Sequence, residues 1–346
     1  MKKFFKIFAL TILLFGLCPV YAAPLGFFGN ASDIPTVFVE SIQTISIDLS
    51  SAQTSNTATI TSVDTTRSVV FWNGCITSQT SASNGSGIQA RVTLTNATTV
   101  TITRGTAANS DTLTCKGTVV QFSSGVLNTA VQSGTISITT TNLTGTATIS
   151  AVGAGAVVLY QGVSNSFTNG FPGLSGDEAA VDLTNTTTVT AHRENVSFSV
   201  TDTVGYAVLD IKAAYVNSVQ QFAINNASSA TTVNQTITAV APEYTILIYD
   251  GVTSSSNNTG VGNYHAYANL TSRTNIASVR NSTATNSYTL YVTALELKSA
   301  VLNGSIQRGT TTISASTSGT ATLTRSINTA KTLANWIGFK SAGNPN

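Results

Sequence analysis

The chain has 346 residues, of which 42% are hydrophobic and only 9% charged, with 16 Lys+Arg against 14 Asp+Glu. Three of those basic residues lie in the first 22, which leaves 13 against 14 and a net charge of −1 for the remainder. No basic patch is available to attract a phosphate backbone, so nucleic-acid binding is excluded as a principal role.

Residues 1–22 have the pattern of a secretory signal peptide. Lys2, Lys3 and Lys6 precede the apolar run Ile7–Leu17, and Val20-Tyr21-Ala22 forms a small-residue cleavage site. The bulky Leu17 before Cys18 argues against a lipoprotein site. No second apolar stretch approaches the roughly 20 residues of a membrane span. The expected product is exported, secreted or held at the cell surface, with no transmembrane segment.

After a short lead, residues 23–41, one unit recurs in tandem over 42–130, 131–218 and 219–305, with a partial fourth copy over 306–346. The dipeptides Ile42-Gln43, Val131-Gln132, Val219-Gln220 and Ile306-Gln307 open the copies at steps of 89, 88 and 87 residues. A strand follows in the stretches TATIT, TATIS, QTITA and TATLT, carrying Ile60, Ile149, Ile237 and Leu323. Next comes a strand that ends on glycine, at Gly74, Gly162, Gly251 and Gly338, with Trp72, Tyr160, Tyr249 and Trp336 two positions earlier. These aromatic residues are the expected core of each repeat. Beyond a variable loop, a hairpin pattern places Leu94, Leu183 and Leu270 ten residues before Arg104, Arg193 and Arg280. A closing strand, TVVQF, AVLDI or ALELK, completes the first three copies.

Period-two alternation of β-branched and apolar residues marks half-buried antiparallel strands. The short turn at Asn96 and Ala97 suits a hairpin. The fold expected is all-β: tandem Ig-like or jelly-roll-like antiparallel β-sandwich repeats of about 88 residues, stacked as a rod. The glycine strand is apolar on both faces, Val70 and Trp72 alternating with Val69 and Phe71. Either its outer face is partly covered within one sandwich, or it meets a neighbouring repeat or subunit. The glycine marks a bulge or sharp exit. The fourth copy has its opening strands and glycine strand but neither hairpin nor closing strand. It reads either as a fragment of a longer product or as a unit completed by another element or chain, with head-to-tail assembly as the consequence.

Chemistry-bearing residues are sparse. Cys75 and Cys115 are candidates for a disulfide in an oxidising compartment, with two free thiols as the alternative. Arg104, Arg193 and Arg280 share parity with core residues and are expected at the sandwich rim, stems apolar and heads in water, or as a recurring binding contact. His192 and His265 lack a second ligand at metal spacing. Asp177, Glu178 and Asp182 form an acidic loop cluster without a calcium pattern. Phe167, Phe171, Tyr264 and Tyr267 offer a scattered aromatic platform for a glycan. No catalytic residue, metal site or cofactor is expected.

The stretches Ser305–Thr311, Thr57–Thr61, Arg67-Ser68, Lys331-Thr332, Leu94–Arg104 and Val119–Phe122 together resemble the small repeat domains of tail and other virion structural proteins of tailed bacteriophages. The resemblance extends over nearly all of 42–346. It implies a β-sandwich module used for structure or display, and carries no catalytic residue across. The expected function is a non-enzymatic secreted or surface structural or adhesive array. A lectin-like carbohydrate-binding module and a phage virion component are the alternatives. Partners are expected to be further copies of the chain, other surface or virion proteins, or a glycan.

Overall fold

The computed structural model describes residues 10–14, 38–77, 89–105, 112–165, 178–194, 200–227, 230–254, 266–280, 287–302, 306–309 and 332–335. Each complete repeat supplies six strands. Repeat 1 has β2 (Val39–Leu49), β3 (Ser55–Thr59), β4 (Ser68–Thr77), β5 (Arg91–Asn96), β6 (Thr99–Thr103) and β7 (Leu113–Phe122). Repeat 2 has β8 (Gln132–Ile138), β9 (Thr144–Thr148), β10 (Ala156–Asn165), β11 (Ala180–Asn185), β12 (Thr188–His192) and β13 (Asp202–Asp210). Repeat 3 has β14 (Val216–Asn226), β15 (Thr232–Thr236), β16 (Thr245–Ser254), β17 (Tyr267–Ser272), β18 (Asn275–Val279) and β19 (Tyr288–Leu297). All strand pairing is antiparallel. No helix among the described residues is long and apolar enough to cross a membrane.

Within a repeat the strands divide into two halves. The first, third and sixth form an inner sheet with the closing strand in the middle, as in β2-β7-β4; the second, fourth and fifth form an outer sheet, as in β3-β6-β5. The alternation read from sequence is visible in β2, where Ile45, Ile47 and Leu49 are buried while Ser46 and Asp48 are exposed. Inner and outer sheets of one repeat enclose a private core, formed in repeat 1 by Ile47, Leu49, Val70, Val92, Ile102 and Val119 among others.

The halves are then joined across repeats. The outer sheet of repeat 1 continues through Arg91 and Gly162 into the inner sheet of repeat 2, giving the six-stranded order β3-β6-β5-β10-β13-β8. The outer sheet of repeat 2 continues through Ala180 and Gly251 into the inner sheet of repeat 3, giving β14-β19-β16-β11-β12-β9. The opposite faces of the inner sheets meet in one central core. Val69, Val157, Ile246 and Leu333 reach it from corresponding positions in all four repeats. The arrangement is a four-bladed β-propeller, which overturns the expected rod of tandem sandwiches. Both-face burial of the glycine strand is the physical reason: its second apolar face is covered by the other repeats around a common centre, and a linear stack offers no such cover.

The inner sheet of the fourth repeat is β20 (Gln307–Gly309), β1 (Leu10–Leu14) and β21 (Thr332–Asn335), in the order β20-β1-β21. β1 thus takes the middle position that β7, β13 and β19 hold in the other repeats. This is the segment whose sequence reads as the apolar part of a signal peptide. Trp336 and Gly338 lie outside the described residues.

Each glycine strand carries a bulge where its register with the closing strand shifts, between Trp72 and Cys75, Tyr160 and Val163, and Tyr249 and Gly251. Gly74, Gly162 and Gly251 there have φ of 82°, 88° and 116°, a region open to glycine at no steric cost.

Candidate functional site

The polar residues that recur in the three complete repeats are turned toward the chain's own backbone. Gln43 donates to the Thr61 carbonyl at 2.9 Å and accepts from the Thr61 N–H at 2.7 Å. Gln132 makes the same pair with Ser150, and Gln220 with Thr238. One side-chain amide therefore splices the opening strand to the end of the second strand, satisfying a donor and an acceptor together. At the hairpin tip, Asn96 and Asn185 accept from the N–H of Thr98 and Thr187, and Ser272 accepts from that of Thr274. The tip carbonyls Thr98 and Ala97 in turn accept from Ile60 and Val63, a pattern that the other two repeats repeat.

The arginines behave differently from expectation. Arg104, Arg193 and Arg280 are only 1%, 3% and 1% exposed, so their heads are not in water. Each guanidinium fills the bend between the first two strands of its repeat. Arg104 donates to the carbonyls of Ser50, Ser51 and Gln53 at 2.6 to 3.0 Å. Arg193 donates to those of Thr139, Asn142 and Val200, and Arg280 to those of Ala227 and Ala230. A rim position fails because the bend's converging carbonyls need donors and a guanidinium offers five in a fixed fork. The first residue of the closing strand differs by repeat: Leu113 in the first, Asp202, in a buried ion pair with Arg193 at 2.9 Å, in the second, and Tyr288, its ring 5.3 Å from the Arg280 guanidinium carbon, in the third. Burial pushes the Asp202 carboxyl up to about 6 against the opposing pull of Arg193.

Titratable groups gather at the seam between repeats 2 and 3. Tyr160 and Tyr249 are brought together edge to face, ring centres 6.3 Å apart, and burial holds both phenols well above their ordinary range. His192 on β12 bonds Asp182 on β11 at 3.0 Å and stacks on Tyr291 of β19 at 4.9 Å. Tyr291 is pushed up to about 12 by burial, with the charges of Asp182 and Glu194 adding. Glu194 accepts from the Thr289 hydroxyl at 2.8 Å. The imidazole, two carboxylates and a phenol form a half-exposed hydrogen-bonding ledge. Among the described residues no group of three His, Cys, Asp or Glu side chains is placed to hold a metal ion.

No family model, curated protein or solved structure matches the chain.

Deeper in the same seam sits Asp250, 2% exposed. Its Oδ2 accepts from Thr293 at 2.5 Å, and its Oδ1 has no partner among the described residues. The corresponding residue of repeat 2 is Gln161, whose Nε2 donates across the seam to the Val70 carbonyl at 2.8 Å. Burial, with the Asp182 charge adding, holds the Asp250 carboxyl well above the ordinary 3.8. The fold thus keeps a proton that the unfolded chain releases, so the stabilisation is complete below about pH 4 and is lost as pH rises toward the folded value. Asp250→Asn should flatten that decline in urea titrations run at several pH values.

Cys75 and Cys115 face each other on β4 and β7 and form a disulfide, Cα atoms 4.0 Å apart, 40 residues apart in sequence. On the chain-entropy account a loop of that length contributes about 4 kcal/mol. Reduction should lower the melting temperature accordingly, with hydrogen exchange rising first in repeat 1. Trp72, Tyr160 and Tyr249 are partly buried against the private cores of their repeats. His265, Asp177, Phe167, Phe171 and Tyr264 lie outside the described residues, whereas Tyr267 opens β17 and is half-buried. A cavity on the central axis is lined by Phe38, Phe71, Phe122, Ile248 and other apolar side chains, with Asn335 as the polar exception. The Asn335 amide donates to the Leu247 carbonyl at 2.8 Å, so the lining holds little polar chemistry for a substrate.

Sequence reasoning located the glutamines and arginines as landmarks but not their tasks. Asp202, Asp250 and Tyr291 escaped it because each occupies a position where the other repeats carry a different residue type.

Proposed function

We propose that this chain is a non-enzymatic structural or adhesive component, exported by its N-terminal segment and displayed outside the cytoplasm. One observation carries the reading: the polar side chains shared by all three complete repeats, the glutamines, hairpin asparagines or serine, and arginines, are spent on backbone groups of the same repeat. A repeated catalytic or ligand site would keep such groups free to meet a substrate. The sparse charge of the sequence favours side-by-side association over solvation. Export and the β1 strand compete for the same residues, since removal of 1–22 takes β1 out of the fourth inner sheet.

The test follows the full-length chain in a bacterial host. A product beginning at Ala23 in the extracellular or surface fraction, sedimenting as assemblies or binding cells, is the expected result. A cytoplasmic product retaining residues 1–22 would overturn the export reading. Binding on a glycan array that is competed by free sugar would replace the structural role with the lectin one, and the Asp182–His192–Tyr291 ledge is where such a sugar would be sought.

A further inference from the structure

The seams between repeats define what the edge of a glycine strand receives. At Gly162 and Gly251 the preceding repeat's outer sheet is docked through Arg91 and Ala180. A Cβ at those glycines would stand 2.2 and 2.3 Å from the carbonyl oxygens of Ala90 and Ala179. Gly74 has the same left-handed backbone and the same bulge, yet among the described residues nothing comes within 4 Å of a Cβ built there. β4 pairs with β7 on one side and, among the described residues, has no strand on the other. Burial records the difference. From Gln161 to Asn165 and from Asp250 to Ser254 every residue is buried, whereas from Asn73 to Thr77 every residue is half-buried. Asn73, which corresponds to Gln161 and Asp250, has an Oδ1 shielded from solvent and without a partner among the described residues.

We propose that the outer edge of β4 is a receptor for a β-hairpin of the repeat's own kind, carried by a second polypeptide. The two occupied seams specify that hairpin's chemistry. Its first strand brings a main-chain carbonyl to the glycine bulge. Small or β-branched residues face the core, as in Ala179, Val181, Val189 and Ala191, and threonines face outward. Main-chain pairing supplies the affinity and the glycine bulge sets the register, as in other strand additions to an open sheet edge. The inference goes beyond the structural reading above and is independent of whether the chain is exported.

The test uses the full chain and a synthetic peptide of residues 178–193, the natural occupant of the Gly251 seam. The peptide is expected to bind and to protect the amides of Asn73–Ile76 from hydrogen exchange. Gly74→Asn tolerates the left-handed backbone while placing a Cβ where the docked carbonyl must lie, and should weaken binding by at least about tenfold, or 1.4 kcal/mol. Because a free peptide pays for its own ordering, the same segment is also appended to the chain through a flexible linker, with protection of Asn73–Ile76 as the readout. Absence of protection in both formats, or equal protection with Gly74→Asn, overturns the proposal. Self-association of the unmodified chain that Gly74→Asn suppresses would support it and identify a second copy as the donor.

Discussion

Gly251→Val is expected to leave the chain largely unfolded at 25 °C, or to cost more than about 4 kcal/mol in denaturant titration. Two effects act together. Valine is β-branched and has no comfortable conformation at a φ of 116°. Its Cβ would also fall 2.3 Å from the Ala179 oxygen and 2.5 Å from the Ala180 Cα, both of them backbone that cannot swing aside. Gly74→Val separates the terms. Its φ of 82° is equally hostile, but among the described residues there is open space around the Cβ, so only the conformational part remains, about 1–3 kcal/mol. Equal losses at the two positions would mean that the seam through Ala180 contributes nothing.

Arg193→Met should cost about 3–5 kcal/mol. It strips donors from Thr139, Asn142 and Val200 and leaves the Asp202 carboxylate in the interior without its cation. Arg104→Met likewise strips donors from the carbonyls of Ser50, Ser51 and Gln53, and Arg280→Met from those of Ala227 and Ala230. The pH dependence distinguishes the cases. In the intact chain the folded pKa of Asp202, about 6, lies above the ordinary 3.8, so its contribution is greatest below about pH 4 and fades as pH rises through 6. Without Arg193 the carboxyl moves higher still, and the loss on raising the pH from 5 to 8 should be steeper than in the parent. Asp202→Asn in the same background should remove that added steepness and leave the decline that Asp250 contributes. Chemical denaturation of the parent, the three arginine variants and the double variant across that range decides the matter.

Much of the fold was legible because it is written locally. The alternation in β2, the LTN turn and the glycine after an aromatic each follow from steric and hydrogen-bonding preferences of a few adjacent residues. The apolar second face of the glycine strand, Val69 and Phe71 or Ile246 and Ile248, also announced a further layer of contact. Whether its own sandwich, a neighbouring repeat or another subunit covers that face was not legible. The junction between repeats is a single paired position, Arg91 with Gly162 or Ala180 with Gly251, and one pairing leaves no periodic trace. The arginines show the same limit. Parity placed Arg104 beside Val100 and Ile102, correctly at the core, but whether its head reaches water depends on where the carbonyls of Ser50, Ser51 and Gln53 turn, more than 50 residues away in sequence. Side chains unique to one repeat, such as Asp250 and Tyr291, were hidden for the opposite reason, since a search for recurrence discards them.

Because the outer strands of repeats 1 and 2 join the inner strands of the repeat that follows, the three complete repeats are interleaved rather than laid end to end. A protease nick between residues 78 and 88 would cut the covalent link within repeat 1 without freeing either fragment, since each side remains hydrogen-bonded into a sheet shared with its neighbour. Calorimetry should accordingly record one melting event for the three complete repeats, where a string of independent beads would record several.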